Sequence, residues 1–406
     1  MKLARGTAMA AAVLLVAHVA LARVPASGGS RTPRWFWDRL FGAFPSTSGI
    51  TNRVTGAFSR NSMDEAYSVL IPRSGATPVI CQNTNDDKFE EGVCLRVADC
   101  ALAGGTSYGS CAGGIIGACC VFEKKCDQNS NAYVTQFTNP RYPSPTTGIG
   151  ECKLTVNPMH DNVCQFRLDF DEFSVVGPDD SSDCVTDFLG VTGGSSVPKL
   201  CGDLTGQHVY VNVKPASGPI ELSMDTATTD FGSRQWNIRV TQIPCGSPQL
   251  APPGCLQFYN QTSGTVRSLN FRDSLPLAGE TFQLQNQNYG VCINSKVGYC
   301  ELTWTASNEG FGYSFTVTGD ASANKSTFET MYGPAHCNKD YVTIPGGIYE
   351  DAQDNPQQED RYCGTKFPTR VRTSSQPYRL YVNTDVAEDG DIRNAGFALN
   401  FRHSLC

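Results

Sequence analysis

The sequence predicts an all-β protein built from two antiparallel β-sandwich domains behind a small disulfide knot. Three observations lead there. Apolar residues alternate with polar ones at a period of two, 18 cysteines lie between Cys81 and Cys406, and the C-terminal part of the chain contains an internal repeat.

The elements follow in chain order. Residues 1–22 carry Lys2 and Arg5, the apolar run Met9–Val16 and the small-residue site Ala20-Leu21-Ala22, the three-part pattern of a secretory signal peptide. No later stretch has the roughly 18 to 20 uninterrupted apolar residues of a membrane span, so no membrane insertion is expected. Residues 23–80 hold no cysteine and are rich in Ser, Thr, Gly and Pro, as in a flexible N-terminal segment. Within it, Trp35-Phe36-Trp37-Asp38-Arg39-Leu40-Phe41 is dense in aromatic residues, suiting a short amphipathic helix or an ordered turn against the protein.

Residues 81–120 hold six cysteines: Cys81, Cys94, Cys100, Cys111, Cys119 and Cys120. A segment this short cannot bury enough apolar surface to fold without covalent help, and three bridges would supply it. Residues 126–245 and 255–406 each hold six more and form the repeat. Cys184-Val185-Thr186-Asp187-Phe188-Leu189 precedes Cys201-Gly202 in the first copy, as Cys337-Asn338-Lys339-Asp340-Tyr341-Val342 precedes Cys363-Gly364 in the second. Trp236 stands nine residues before Cys245, and Phe397 nine before Cys406. In both copies the period-two pattern marks half-buried strands: Cys164, Phe166, Leu168 and Phe170; Val209, Val211 and Val213; Trp236, Ile238 and Val240; Tyr313, Phe315 and Val317; Phe397, Leu399 and Phe401.

The knot, with its adjacent pair Cys119-Cys120, resembles the clip domain that precedes many arthropod serine proteases. That resemblance implies the bridges Cys81 to Cys119, Cys94 to Cys111 and Cys100 to Cys120. In the first copy, Cys126 is followed by Phe137-Thr138-Asn139-Pro140-Arg141-Tyr142-Pro143 and then by Cys152-Lys153-Leu154-Thr155-Val156. This is similar to the opening of a CUB domain, and Leu200-Cys201-Gly202 to a later CUB element. The fold implied is the CUB-like jelly roll, with Cys126 joined to Cys152 and Cys184 to Cys201, leaving Cys164 and Cys245 for each other. The second copy opens with Gly254-Cys255-Leu256-Gln257-Phe258-Tyr259 and lacks the asparagine-proline-tyrosine-proline stretch, but it ends in the CUB-like Gly396-Phe397-Ala398-Leu399. By analogy Cys337 pairs with Cys363, while Cys255, Cys292, Cys300 and Cys406 stay open among three pairings. The combination resembles secreted arthropod CUB proteins.

No catalytic motif emerges. The four histidines after the signal, His160, His208, His336 and His403, stand in unrelated contexts, and neither a zinc-protease helix nor a serine-protease nucleophile motif is present. Gly105-Thr106-Ser107-Tyr108-Gly109 satisfies G-x-S-x-G, but it lies between Cys100 and Cys111, where a glycine-rich loop is expected and not the strand-to-helix elbow that motif needs. The CUB resemblance implies one candidate cofactor, a structural Ca²⁺ held by hard carboxylate ligands: Asp187 in the first copy, Asp340 and Asp389 in the second. Val176 fills the glutamate position of the first copy, with Asp179, Asp180 and Asp183 as substitutes. The reading without metal makes these aspartates ordinary loop caps.

Two sequons, Asn260-Gln261-Thr262 and Asn324-Lys325-Ser326, are candidate glycosylation sites. Without Lys2 and Arg5 the chain has 30 basic and 39 acidic residues, and no run of Lys or Arg. That balance disfavours nucleic acid and heparin-like partners. The function expected is non-enzymatic recognition of an extracellular protein or glycan by a secreted protein, through loops on a rigid scaffold. The alternative is a non-catalytic accessory of an extracellular clip-protease cascade.

Overall fold

The computed structural model describes residues 78–83, 90–111, 117–227, 233–272, 274–277, 280–308, 312–386 and 391–406. The signal peptide, the aromatic segment 35–41 and all but the last residues of the 23–80 segment lie outside the described residues. That segment ends sooner than expected, because Ile80 already opens a strand, Ile80–Asn83, with Ile80 paired to Val93.

The knot is a four-stranded antiparallel sheet with one short helix, Val97–Leu102. Its bridges are Cys81–Cys119, Cys94–Cys111 and Cys100–Cys120. The expected glycine-rich loop is instead a strand, Thr106–Ser110, laid along Gly117–Val121. The glycine before it answers to packing, since a Cβ on Gly105 would stand 2.4 Å from the Sγ of Cys120.

Each repeat copy is a sandwich of two sheets. Four- and five-stranded sheets make the first, and six- and seven-stranded sheets the second. Pairing is antiparallel except for three short parallel contacts: Glu123–Lys124 with Val134–Thr138, Gln128–Ser130 with Gly150–Val156, and Cys255–Tyr259 with Asn288–Ile293. Alternation decides which side of each strand is buried. In Val163–Ser174, Phe166, Leu168 and Phe170 are fully buried while Arg167 and Asp169 between them, and Asp171 after them, are not. Phe137 and Trp236 meet in the first core with ring centroids 6.1 Å apart, and Trp304 and Phe401 in the second at 5.9 Å.

The bridges are Cys126–Cys152, Cys164–Cys245 and Cys184–Cys201 in the first sandwich, and Cys255–Cys292, Cys300–Cys406 and Cys337–Cys363 in the second. Both copies therefore join first to second, third to sixth and fourth to fifth cysteine. The pairings left open in the second copy repeat the order of the first.

Knot and sandwiches are joined by buried contacts. Val93 of the knot packs on Tyr133 and Val134. Between the sandwiches, the Gln165 amide donates to Ala251 O and accepts from Ala251 N, at 2.7 and 2.8 Å. The side chain of Gln207 donates to Ser268 O, and Tyr210 packs on Phe258. Asn270 Oδ1 accepts from Asp203 N at 2.8 Å and comes so close that a Cβ on Gly202 would lie 1.9 Å from it. With φ at +81° as well, position 202 admits only glycine, a physical reason for the second residue of the Cys-Gly pair.

Candidate functional site

The first-copy calcium expectation meets a different chemistry. Asp187, at the start of the strand Asp187–Thr192, is fully buried and faces Arg234, itself 1% exposed. Arg234 Nη2 donates to Asp187 Oδ1 at 2.9 Å and its Nε to Oδ2. The backbone N–H groups of Val176 and Ala227 add bonds of 3.1 and 3.3 Å to the same carboxylate. The fold thus brings position 176 to Asp187, but through its backbone N–H, and the remaining donors to the carboxylate include a guanidinium. The residues of the first copy do not fit Ca²⁺. Asp179, the nearby substitute, is committed to its own turn, accepting from Ser181 N and Asp183 N.

In the second copy Asp340 is 1% exposed, and accepts from Gln283 Nε2 at 2.5 Å and from Asp385 N at 2.8 Å. Asp389 lies outside the described residues. Its neighbour Asp391 accepts from Thr318 Oγ1 and Gly319 N at 2.5 and 2.6 Å. N–H donors thus already face both oxygens of Asp340. Among the described residues no group of three His, Cys, Asp or Glu side chains could hold a metal.

A second charged cluster lies where the knot meets the first sandwich. Arg239 reaches Asp171 at 3.1 Å, Asp169 at 3.8 Å and Glu91 of the knot. Arg167 pairs with Asp169 at 2.6 Å and reaches the Tyr210 hydroxyl. Burial pushes the Asp171 carboxyl up to about 6 despite the nearby Arg239. His208, at the junction of the sandwiches, is pushed down to about 4 by burial, with the Arg167 charge adding to the shift. Its Nε2 lies 3.0 Å from Phe258 O and 3.2 Å from Phe258 N. Through Glu91 this cluster ties the knot to the first sandwich.

One surface open to a partner was not read from the sequence. A groove of about 890 Å³ lies on the outward face of the larger sheet of the second sandwich. Register builds it: Thr303 pairs with Arg372 on one side and Arg402 on the other, and Arg402 pairs with Ser263 beyond. Ser263, Arg402, Thr303 and Arg372 thus form one row across four strands. Arg370, two residues before Arg372, falls on the same face. Beneath them Phe401, Trp304 and Val371 fill the core. Arg370 pairs with Glu350 at 2.6 Å, and Arg372 lies 3.7 Å from both Glu301 and Glu350. Arg402 is exposed and forms no ion pair among the described residues. The signal in the sequence was alternation, Arg370-Val371-Arg372 and Phe401-Arg402, and a search for runs of basic residues passes over it. Both sequon asparagines are exposed, and Thr262 of the first lines the groove.

Residues 252–404 match the family model of the animal CUB domain. The chain carries a CUB domain. The match falls on the second copy, whose opening lacks the CUB stretch found in the first. The CUB domain thus includes the groove-bearing sheet and five of its six cysteines. Similar solved structures include the CUB1-EGF-CUB2 domains of rat MASP-1, 13% identical over 68% of this chain and 99% of that one, with a TM-score of 0.24. The CUB1-EGF-CUB2 domain of human MASP-1/3 is 14% identical over 67% of this chain and 100% of that one, TM-score 0.24. The full extracellular region of zebrafish Gpr126/Adgrg6 is 13% identical over 69% of this chain and 37% of that one, TM-score 0.24. No curated protein matches the chain.

Proposed function

We propose that this chain is a secreted, non-catalytic recognition protein that engages an extracellular macromolecule through the outward sheet face of its CUB domain. CUB domains are interaction modules as a rule, and the cysteine-rich composition suits an oxidising, extracellular setting. No described helix is long and apolar enough to cross a membrane. The observation that carries the reading is the row Ser263–Arg402–Thr303–Arg372. An exposed, unpaired guanidinium beside two hydroxyl-bearing strands on a rigid sheet gives directional donors at little entropic cost. The contact surface proposed is thus a sheet face, whereas the sequence alone suggested loops.

Site-directed photo-crosslinking tests it. A photoreactive residue at Thr303 should form adducts in extracellular fluid, and Arg372→Gln should abolish them. A control probe at Leu102 on the knot, 69% exposed, should form none. Adducts from Leu102 alone would sink the proposal and favour the protease-cascade accessory, which would bind through its knot.

A further inference from the structure

We propose that the arginine face of the CUB domain binds a sulfated glycan chain; this rests on the reading of that face as a recognition surface and names its ligand class. Three guanidinium groups converge there from two strands, Val371–Thr373 with the adjoining Arg370, and Gly396–Leu405. Arg372 and Arg402 are separated by the Thr303 strand, which sets their backbones about 9 to 10 Å apart at ordinary strand spacing. Arg370 and Arg372 are about 7 Å apart along one strand. The result is a spaced array of planar donors. Planar guanidinium forks match the oxygen geometry of a sulfate group, and a polysaccharide sulfated on successive sugars presents anions at a comparable repeat.

The rest of the face selects against an acidic peptide. Thr303 lies mid-sheet, with its strand paired on both sides, so no free backbone edge is available there for strand addition. Val371, Trp304 and Phe401 point inward, so the apolar surface of the groove is confined to Tyr299 and Leu405 at its far end from Arg370. Next to the charges the face offers hydroxyl and carboxylate oxygen, from Ser263, Thr303 and Ser404 and from Glu301 and Glu350 beside the arginines. Sugar hydroxyls can donate to the two glutamates while sulfates take the arginines. The negative net charge of the chain does not oppose this, since charges beyond a Debye length of about 8 Å are largely screened at physiological salt.

The full secreted chain, disulfides intact, is titrated with a heparin-type sulfated polysaccharide over a range of salt, with the desulfated polysaccharide and poly-glutamate in parallel. Saturable binding of the sulfated chain alone is expected. Arg402→Gln, at an exposed and unpaired position, should weaken it roughly 5- to 10-fold and lower the slope of log affinity against log salt by about one. The triple variant R370Q/R372Q/R402Q should weaken it by about two orders of magnitude or more, with an unchanged melting temperature showing that the fold persists. Unaltered affinity and slope in R402Q would overturn the proposal. So would poly-glutamate binding as well as the sulfated chain, which would make this an acidic-peptide site. If the polysaccharide fails to bind while the Thr303 adduct still forms and is lost in R402Q, the recognition reading stands and the glycan assignment falls. Loss of both overturns both.

Discussion

Replacing Asp187 by alanine tests the buried ion pair where the CUB resemblance placed a calcium ligand. The carboxylate takes four donors, two from Arg234 and one each from the backbone of Val176 and Ala227. Truncation removes the carboxylate partner of a guanidinium that is 1% exposed, together with the acceptor of two backbone N–H groups. Breaking a buried ion pair by removing one partner costs about 3 to 5 kcal/mol, a large fraction of the about 5 to 15 kcal/mol that holds an ordinary domain folded. The double variant Asp187→Leu/Arg234→Met removes both charges at once and should recover most of that loss, because the pair itself contributes little net free energy over apolar packing. Urea unfolding with disulfides intact, read by hydrogen exchange in the strands Asp187–Thr192 and Ile220–Thr226, gives both numbers. A loss below about 1 kcal/mol in D187A, or a double variant no better than the single one, would refute the account of Asp187 as a charge held by Arg234.

The same pair predicts that millimolar Ca²⁺ leaves the melting of the first sandwich unchanged; a rise that D187N abolishes would place the ion there after all. His208 and Asp171 should oppose each other in acid. His208, depressed to about 4, binds its proton less readily folded than unfolded, so its contribution is full above about pH 6.5 and lost towards pH 4, about 3 kcal/mol in all. Asp171, raised to about 6, has the reverse sign: its cost is present above pH 6 and relieved towards its ordinary value near 4. Asp171→Asn should therefore steepen the loss of stability between pH 6.5 and 4, and His208→Gln should reduce it; parallel profiles for both variants and the parent would show that neither group titrates as described. Under graded reduction the knot should open first, because it has three bridges and the smallest core, each native bridge in such a domain contributing about 2 to 5 kcal/mol. Mass spectrometry after thiol labelling reads the order, and labelling of Cys164 or Cys300 before any knot cysteine would contradict it.

The all-β class and the two sandwiches were legible because they depend on local patterning. Period-two alternation in Val163–Ser174 or Gly396–Leu405 is a property of the pleat and needs no knowledge of which strand lies alongside. Much that depended on partners was not, outside the bridges that the family resemblances implied. The four open cysteines of the second copy were decided by chain path: Cys255 and Cys292 lie on neighbouring parallel strands, and Cys300 and Cys406 flank the Tyr299–Leu405 end of an antiparallel pair. Asp187 read as a metal ligand because its countercharge, Arg234, is 47 residues away in sequence. Net charge belongs to the whole chain, so the expectation that it repels polyanions holds for the average surface and not for each face. Only register, which pairs Thr303 with Arg372 and Arg402, collects those arginines on one face, while alternation turns Val371 and Phe401 into the core. Composition and period are short-range and survive in the bare sequence; strand pairing is long-range and exists only once the chain has folded.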